Sequence, residues 1–165
     1  MAPPGTPHAP EPAPLPQARP LPFEGAYQLS ISAAASCASA LPPGLRVRRY
    51  DVTILTSGER SQITFASDDV WSTDGQAYQA HASVRGGRAL IEVHAAEWLR
   101  REPLANAEAF YIMARGEALP AGPSLEGRLD GTLEFLSNST GSQECRSSAH
   151  DFYLKPRLSR RTRRA

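Results

Sequence analysis

No stretch of this 165-residue chain approaches the run of about 18–20 apolar residues that a membrane-spanning helix needs. The N-terminus also lacks the charged and apolar regions of a secretory signal. No Gly-x-Ser-x-Gly elbow is present, so no hydrolase context surrounds Ser147, His150 and Asp151, whose adjacency in sequence is not triad geometry. Asp68, Asp69 and Asp74 lack the alternating ligands and terminal glutamate of a calcium-binding EF-hand loop. Cysteine is scarce: Cys37 and Cys145 stand alone, and neither belongs to a Cys-x-x-Cys pair. In a cytosolic enzyme two such cysteines are unrelated thiols, whereas in a small secreted β domain they form one bridge. Both flank predicted strands. The expectation is therefore a Cys37–Cys145 disulfide and an extracytoplasmic address, although no signal peptide is visible. Nothing points to an enzyme, a metal or a cofactor.

What is present divides the chain into three parts. Nine of the 15 prolines fall between Pro3 and Pro22, so residues 1–24 read as a disordered proline-rich spacer. Six of the 18 basic residues fall between Lys155 and Arg164, which makes residues 157–165 a basic disordered tail. Residues 1–154 retain 12 basic against 17 acidic side chains, a formal −5, which argues against a specific nucleic-acid-binding body. The tail could touch polyanions, but it lacks the interleaved aromatics of a stacking platform. Residues 25–156 carry the domain.

That domain reads as eight short strands. Tyr27, Leu29 and Ile31 alternate with polar residues, as do Tyr50, Val52 and Ile54. Ile63–Phe65 follows a turn at Ser57–Gly58. Gly86–Gly87 gives a two-residue hairpin turn that suits a primed geometry. Pairing across it sets Ala80, Ala82, Val84, Ala89, Ile91 and Val93 on a core face. A sixth strand covers about 109–118, and a seventh runs through Leu125, Leu129, Leu133 and Phe135. Gly127 and Gly131 interrupt its apolar face and mark a bend or close backbone approach. The eighth carries Phe152 and Leu154. A short helical turn fits Ala95–Glu102, stopped by Pro103. The fold expectation is all-β, an eight-stranded antiparallel up-and-down barrel, with a β-sandwich as the alternative.

Connections after the second, fourth and sixth strands are short. Those at 35–47, 66–76, 96–107 and 137–149 are long, and in an up-and-down barrel they share one end. Long loops on a rigid scaffold concentrate binding. Trp71 and Trp98, both in this set, would contact a small ligand or else plug the barrel end. Arg46, Arg48, Arg100 and Arg101 would rim the same mouth and orient an acidic group, or simply aid solubility. His81, Glu92 and His94 share the polar face of the central hairpin; their spacing is no recognised zinc motif, and they read as solvated wall. Asn138-Ser139-Thr140 satisfies a glycosylation sequon.

The run Tyr27-x-Leu29-x-Ile31-x-Ala33…Cys37, then Leu41-Pro42…Leu45-Arg46-x-Arg48-x-Tyr50, resembles the opening of uncharacterised small exported β-barrel proteins of bacteria. Gly127-x-Leu129-x-Gly131-Thr132-Leu133 followed by Cys145…His150-x-Phe152 is similar to their later pattern. Gly25-x-Tyr27 also looks like the Gly-x-Trp start of lipocalins, with tyrosine in place of tryptophan. The resemblance implies export and a lipocalin-like barrel, and it assigns no activity. The functional expectation is a barrel that binds a small apolar or amphipathic ligand at its long-loop end. The alternative is an envelope-tethered structural or protein-interaction module.

Overall fold

Residues that alternate apolar with polar do so here because each strand has one face on a core and one on water. The computed structural model describes residues 2–66, 71–72, 75–95 and 101–158. Its strands are β1 (Gly25–Ser32), β2 (Val47–Ser57), β3 (Arg60–Phe65), β4 (Trp71–Ser72), β5 (Gly75–Gln76), β6 (Tyr78–Arg85), β7 (Arg88–Ala95), β8 (Glu102–Pro103), β9 (Ala109–Ala121), β10 (Ser124–Ser137) and β11 (Gly141–Pro156). Eight of them close a barrel in the order β1-β2-β3-β6-β7-β9-β10-β11, every neighbour antiparallel, and β11 returns to β1. The two-residue β8 lies outside this set and pairs with the start of β9. β4 and β5 form a separate small hairpin. The expected up-and-down barrel is the observed fold, and the sandwich is set aside.

The inward side chains form one apolar cluster. Tyr50, Phe65, Tyr78, Phe110 and Phe152 are its largest fully buried members. At one end the turns are tight. Gly86 and Gly87 both take positive φ, 59° and 76°, the primed turn expected of this pair. β9 and β10 lie unusually close: a Cβ on Gly127 would overlap the Glu117 carbonyl oxygen, and one on Gly131 that of Met113. Both glycines therefore mark the close approach inferred from the sequence.

Residues upstream of β1 pack under the tight end. Leu21 is buried and donates its N–H to the hydroxyl of buried Ser61 at 2.8 Å. Arg19 and Val84 exchange two backbone hydrogen bonds. Phe23 stacks on Tyr27 with ring centroids 4.9 Å apart. The strap meets the wall where β3 and β6 share only three residue pairs.

Three expectations are corrected at the other end. Residues 137–149 do not form a fourth long loop: β10 runs to Ser137, β11 starts at Gly141, and the turn between them is three residues long. The segment hides its strand character because 141–149 pairs with β10 alone and buries only Cys145. Cys145 consequently lies within the last strand rather than ahead of it. The helical turn over Ala95–Glu102 fails at both ends. Ala95 completes β7, and Glu102–Pro103 is the extended β8, where proline suits a peripheral position; residues 96–100 lie outside the described residues.

Cys37 and Cys145 are joined, with Cα atoms 5.4 Å apart and both residues buried. The bridge ties the 3-10 turn Ala35–Ser39 in the β1–β2 connection to β11. A β-bulge between Leu129 and Gly131 adds a residue to β11 here. It switches the strand's parity, so His150 and Cys145 both face inward although five residues separate them.

Candidate functional site

Arg48 stands on the inward phase of β2, in step with Tyr50, Val52 and Ile54, and opposite Ile31 of β1. A charge on a core face needs a buried partner, because removing an ion from water costs several kcal/mol. The partner is Glu102 of β8, which is fully buried and ion-paired to Arg48, whose side chain is 22% exposed. The same carboxylate accepts hydrogen bonds from two tyrosine hydroxyls at one oxygen, Tyr50 at 2.8 Å and Tyr78 at 2.9 Å. The Tyr78 hydroxyl also lies 3.3 Å from the Phe110 carbonyl oxygen. Arg48 completes the cluster with its guanidinium carbon 5.5 Å from the Tyr50 ring centroid and 5.7 Å from that of Phe110. Phe65 packs edge-on to Tyr50, with centroids 5.2 Å apart.

Burial pushes the Tyr50 hydroxyl pKa well above the usual tyrosine value, and the charge of Glu102 adds to it. Burial raises Tyr78 likewise, helped by Tyr50 and Glu102. Burial works against the Arg48 charge, but Tyr50 and Glu102 outweigh it and its pKa is raised. The cluster is thus one cation and two persistent hydroxyl donors converging on two carboxylate oxygens.

Of the residues expected at the mouth, Arg48 is in this cluster. Arg46 is not: it donates to the carbonyls of Leu41 (3.2 Å) and Ala38 (2.8 Å), which holds the β1–β2 connection in shape. Trp71 begins β4, its side chain outside the described set, and Trp98 and Arg100 lie outside the described residues altogether. Arg101 covers the Tyr111 ring at 4.1 Å and pairs with Glu134 at 3.2 Å. Glu134 and Glu144 face each other across β10 and β11, and hydrogen bonding to Glu134 raises the Glu144 pKa.

Sequence reasoning missed Tyr50, Tyr78 and Glu102 as members of a polar site. The signal for Tyr50 was present, since Arg48 interrupts an otherwise apolar face in phase with it. Glu102 had none, because its position depends on the path of a connection.

The remaining constellations separate. His150 is buried, with its Nδ1 accepting from the Ala34 N–H at 3.0 Å and its Nε2 3.1 Å from the Gly131 carbonyl oxygen. Asp151 is exposed on the opposite face of β11, and Ser147 bonds the Ala149 N–H at the bulge. These three do not converge. His81 and Glu92 approach to 3.2 Å on the outer wall, with the His94 ring 5.8 Å from that of His81. Among the described residues no group of three such side chains is placed to hold a metal ion. This wall carries an open cleft of about 580 Å³ lined by His81, Leu90, Glu92, Arg115 and Arg128 among others. Asp68, Asp69 and Asp74 lie outside the described set, as does the tail beyond Leu158. Arg157, where the tail begins, pairs with Asp51 at 3.3 Å. No helix among the described residues is long and apolar enough to cross a membrane.

No family model matches this chain, and no significant similarity to curated proteins or to solved structures is found.

Proposed function

We propose that the protein is a non-enzymatic, extracytoplasmic β-barrel that binds a small amphipathic ligand at its long-loop end. The observation that carries this reading is the Arg48–Glu102–Tyr50–Tyr78 cluster. Buried charge with convergent donors is costly to maintain, and such arrangements concentrate at functional sites. Because the inward side chains form one apolar cluster, this reading has the ligand at the rim beside Arg48 and not within the barrel. The disulfide is compatible with an oxidising compartment, and the resemblance to exported small barrels supports the same address.

Tryptophan fluorescence titrations with a panel of fatty acids, phospholipids and aromatic metabolites test this. A saturable change is expected, weakened by Arg48→Met. Silence across the panel in the folded, disulfide-bonded protein would remove the reading. The outer cleft favours a second reading, a protein-interaction module, because its charged lining and the exposed Leu90 and Met113 suit a polypeptide surface. A partner captured by the wild type and lost on changing Arg115 to glutamate would support it.

A further inference from the structure

We infer that Arg48, Tyr50 and Tyr78 form a carboxylate receptor built into the barrel wall. In this inference Glu102 occupies it as the chain's own stand-in for an amphipathic monocarboxylic acid. The inference rests on the mouth being the ligand site and adds the ligand's chemical class.

The argument begins with which element supplies which group. Arg48 and Tyr50 stand on β2, paired there with Ile31 and Leu29 of β1, and Tyr78 stands on β6, paired with Ala95 of β7. The acceptor comes from β8, a two-residue strand held to the sheet by the pairs Glu102–Phe110 and Pro103–Ala109. The donors thus belong to strands of the closed wall, and the acceptor to a connection outside it. Just beyond β8, Asn106 and Ala107 both take left-handed conformations, φ 61° and 58°, a region that asparagine adopts readily and alanine seldom.

Geometry sets the ligand class. One Glu102 oxygen takes both tyrosine hydroxyls and the other takes the guanidinium. A planar group with two oxygens and one negative charge reproduces all three contacts without moving the wall. A phosphate brings more charge and a third oxygen, for which these donors offer one cation and no further partner. The raised tyrosine pKa values keep both hydroxyls protonated as donors at neutral pH. The donors are packed among buried apolar side chains, the Phe65 and Phe110 rings and Ile31 opposite Arg48. The acid would point inward and an apolar body outward. The Arg48 side chain is 22% exposed, whereas Glu102 is fully buried. A ligand acid and Glu102 then compete for one set of donors.

Isothermal titration of the disulfide-bonded full chain with decanoate and with decanol tests this, using wild type, Glu102→Gln, Glu102→Ala and Arg48→Met/Glu102→Ala. Glu102→Ala is expected to bind decanoate at least tenfold more tightly than wild type, with decanol unchanged and the gain lost in the double variant. Equal gains for acid and alcohol would overturn the carboxylate receptor and leave the mouth reading standing. Unchanged decanoate affinity in both Glu102 variants would overturn the stand-in role. No binding of either probe by any folded variant would remove the mouth reading as well. Should Glu102→Ala unfold, acetate or decanoate is expected to restore its cooperative thermal transition while decanol does not. Failure of either acid to restore it would count against the inference.

Discussion

Reducing the Cys37–Cys145 bridge frees two positions 108 residues apart. In the chain-entropy argument the denatured ensemble then gains about 16 cal/mol/K, so the folded state loses about 4.8 kcal/mol at 25 °C. With a urea dependence of roughly 2 kcal/mol per molar, the unfolding midpoint should fall by about 2.4 M. The assay is equilibrium urea unfolding at pH 7, with and without a phosphine reductant. Reduction is a better perturbation than replacing both cysteines by alanine, because Cys37 is fully buried and its truncation adds a cavity cost. Local effects should follow the bridge's position. Amides from Ala34 to Leu41 and from Gly141 to Ala149 should lose exchange protection first, since there the β1–β2 connection is held to β11 by the bridge and by the Ala34–His150 hydrogen bond. A midpoint unchanged within about 0.5 M would refute the reasoning, because it would mean that the bridge does not restrict the denatured chain.

Alkaline stability should report chiefly Tyr50 and Tyr78, the buried tyrosines whose pKa values are raised furthest; burial raises Tyr27 as well. Their folded pKa values lie above the ordinary 10, so the unfolded chain releases its protons first. Stability is therefore intact below pH 10 and falls as pH rises from there toward the folded values, by roughly 3 kcal/mol per pH unit for both together. Urea midpoints at pH 9, 10 and 11 measure this; Tyr50→Phe should halve the slope, and a flat profile would contradict the assignment. Gly131→Ala should destabilise by about 3 kcal/mol or more, because its Cβ would overlap backbone atoms of Met113 and Ala114, which only main-chain movement relieves. Thermal unfolding within a few tenths of a kcal/mol of wild type would show that β9 and β10 are not so close. Leu21→Ala should cost about 2–4 kcal/mol for a buried leucine truncation, read by the same urea transition. Loss of less than about 0.5 kcal/mol would mean that the strap does not dock.

Alternation alone carried most of the barrel. Tyr27, Leu29 and Ile31, or Ala89, Ile91 and Val93, can bury one face only as strands, and eight such segments with short turns leave few closed arrangements. Gly86–Gly87 and the glycines of β10 were legible because φ and close approach are properties of a single residue. The strand character of 141–149 was not, since that stretch buries only Cys145 and its polar residues carry no period. Leu21 was hidden for the opposite reason: proline-rich composition describes a chain without its own core and says nothing of docking on another.

The site divides the same way. From the sequence Arg48 reads as a rim residue, although its phase with Tyr50, Val52 and Ile54 is the signal that sets it on the inward face. Which carboxylate would meet it depended on the path of the β7–β9 connection, and that path follows from packing against β9 and not from any local pattern. The cysteine pair shows the division most plainly. The residue types and their flanking strands implied a bridge. That Cys145 faces inward beside His150 was decided by a bulge that adds one residue and reverses the parity of β11, and the register of a bulge is set between strands, where no single segment records it.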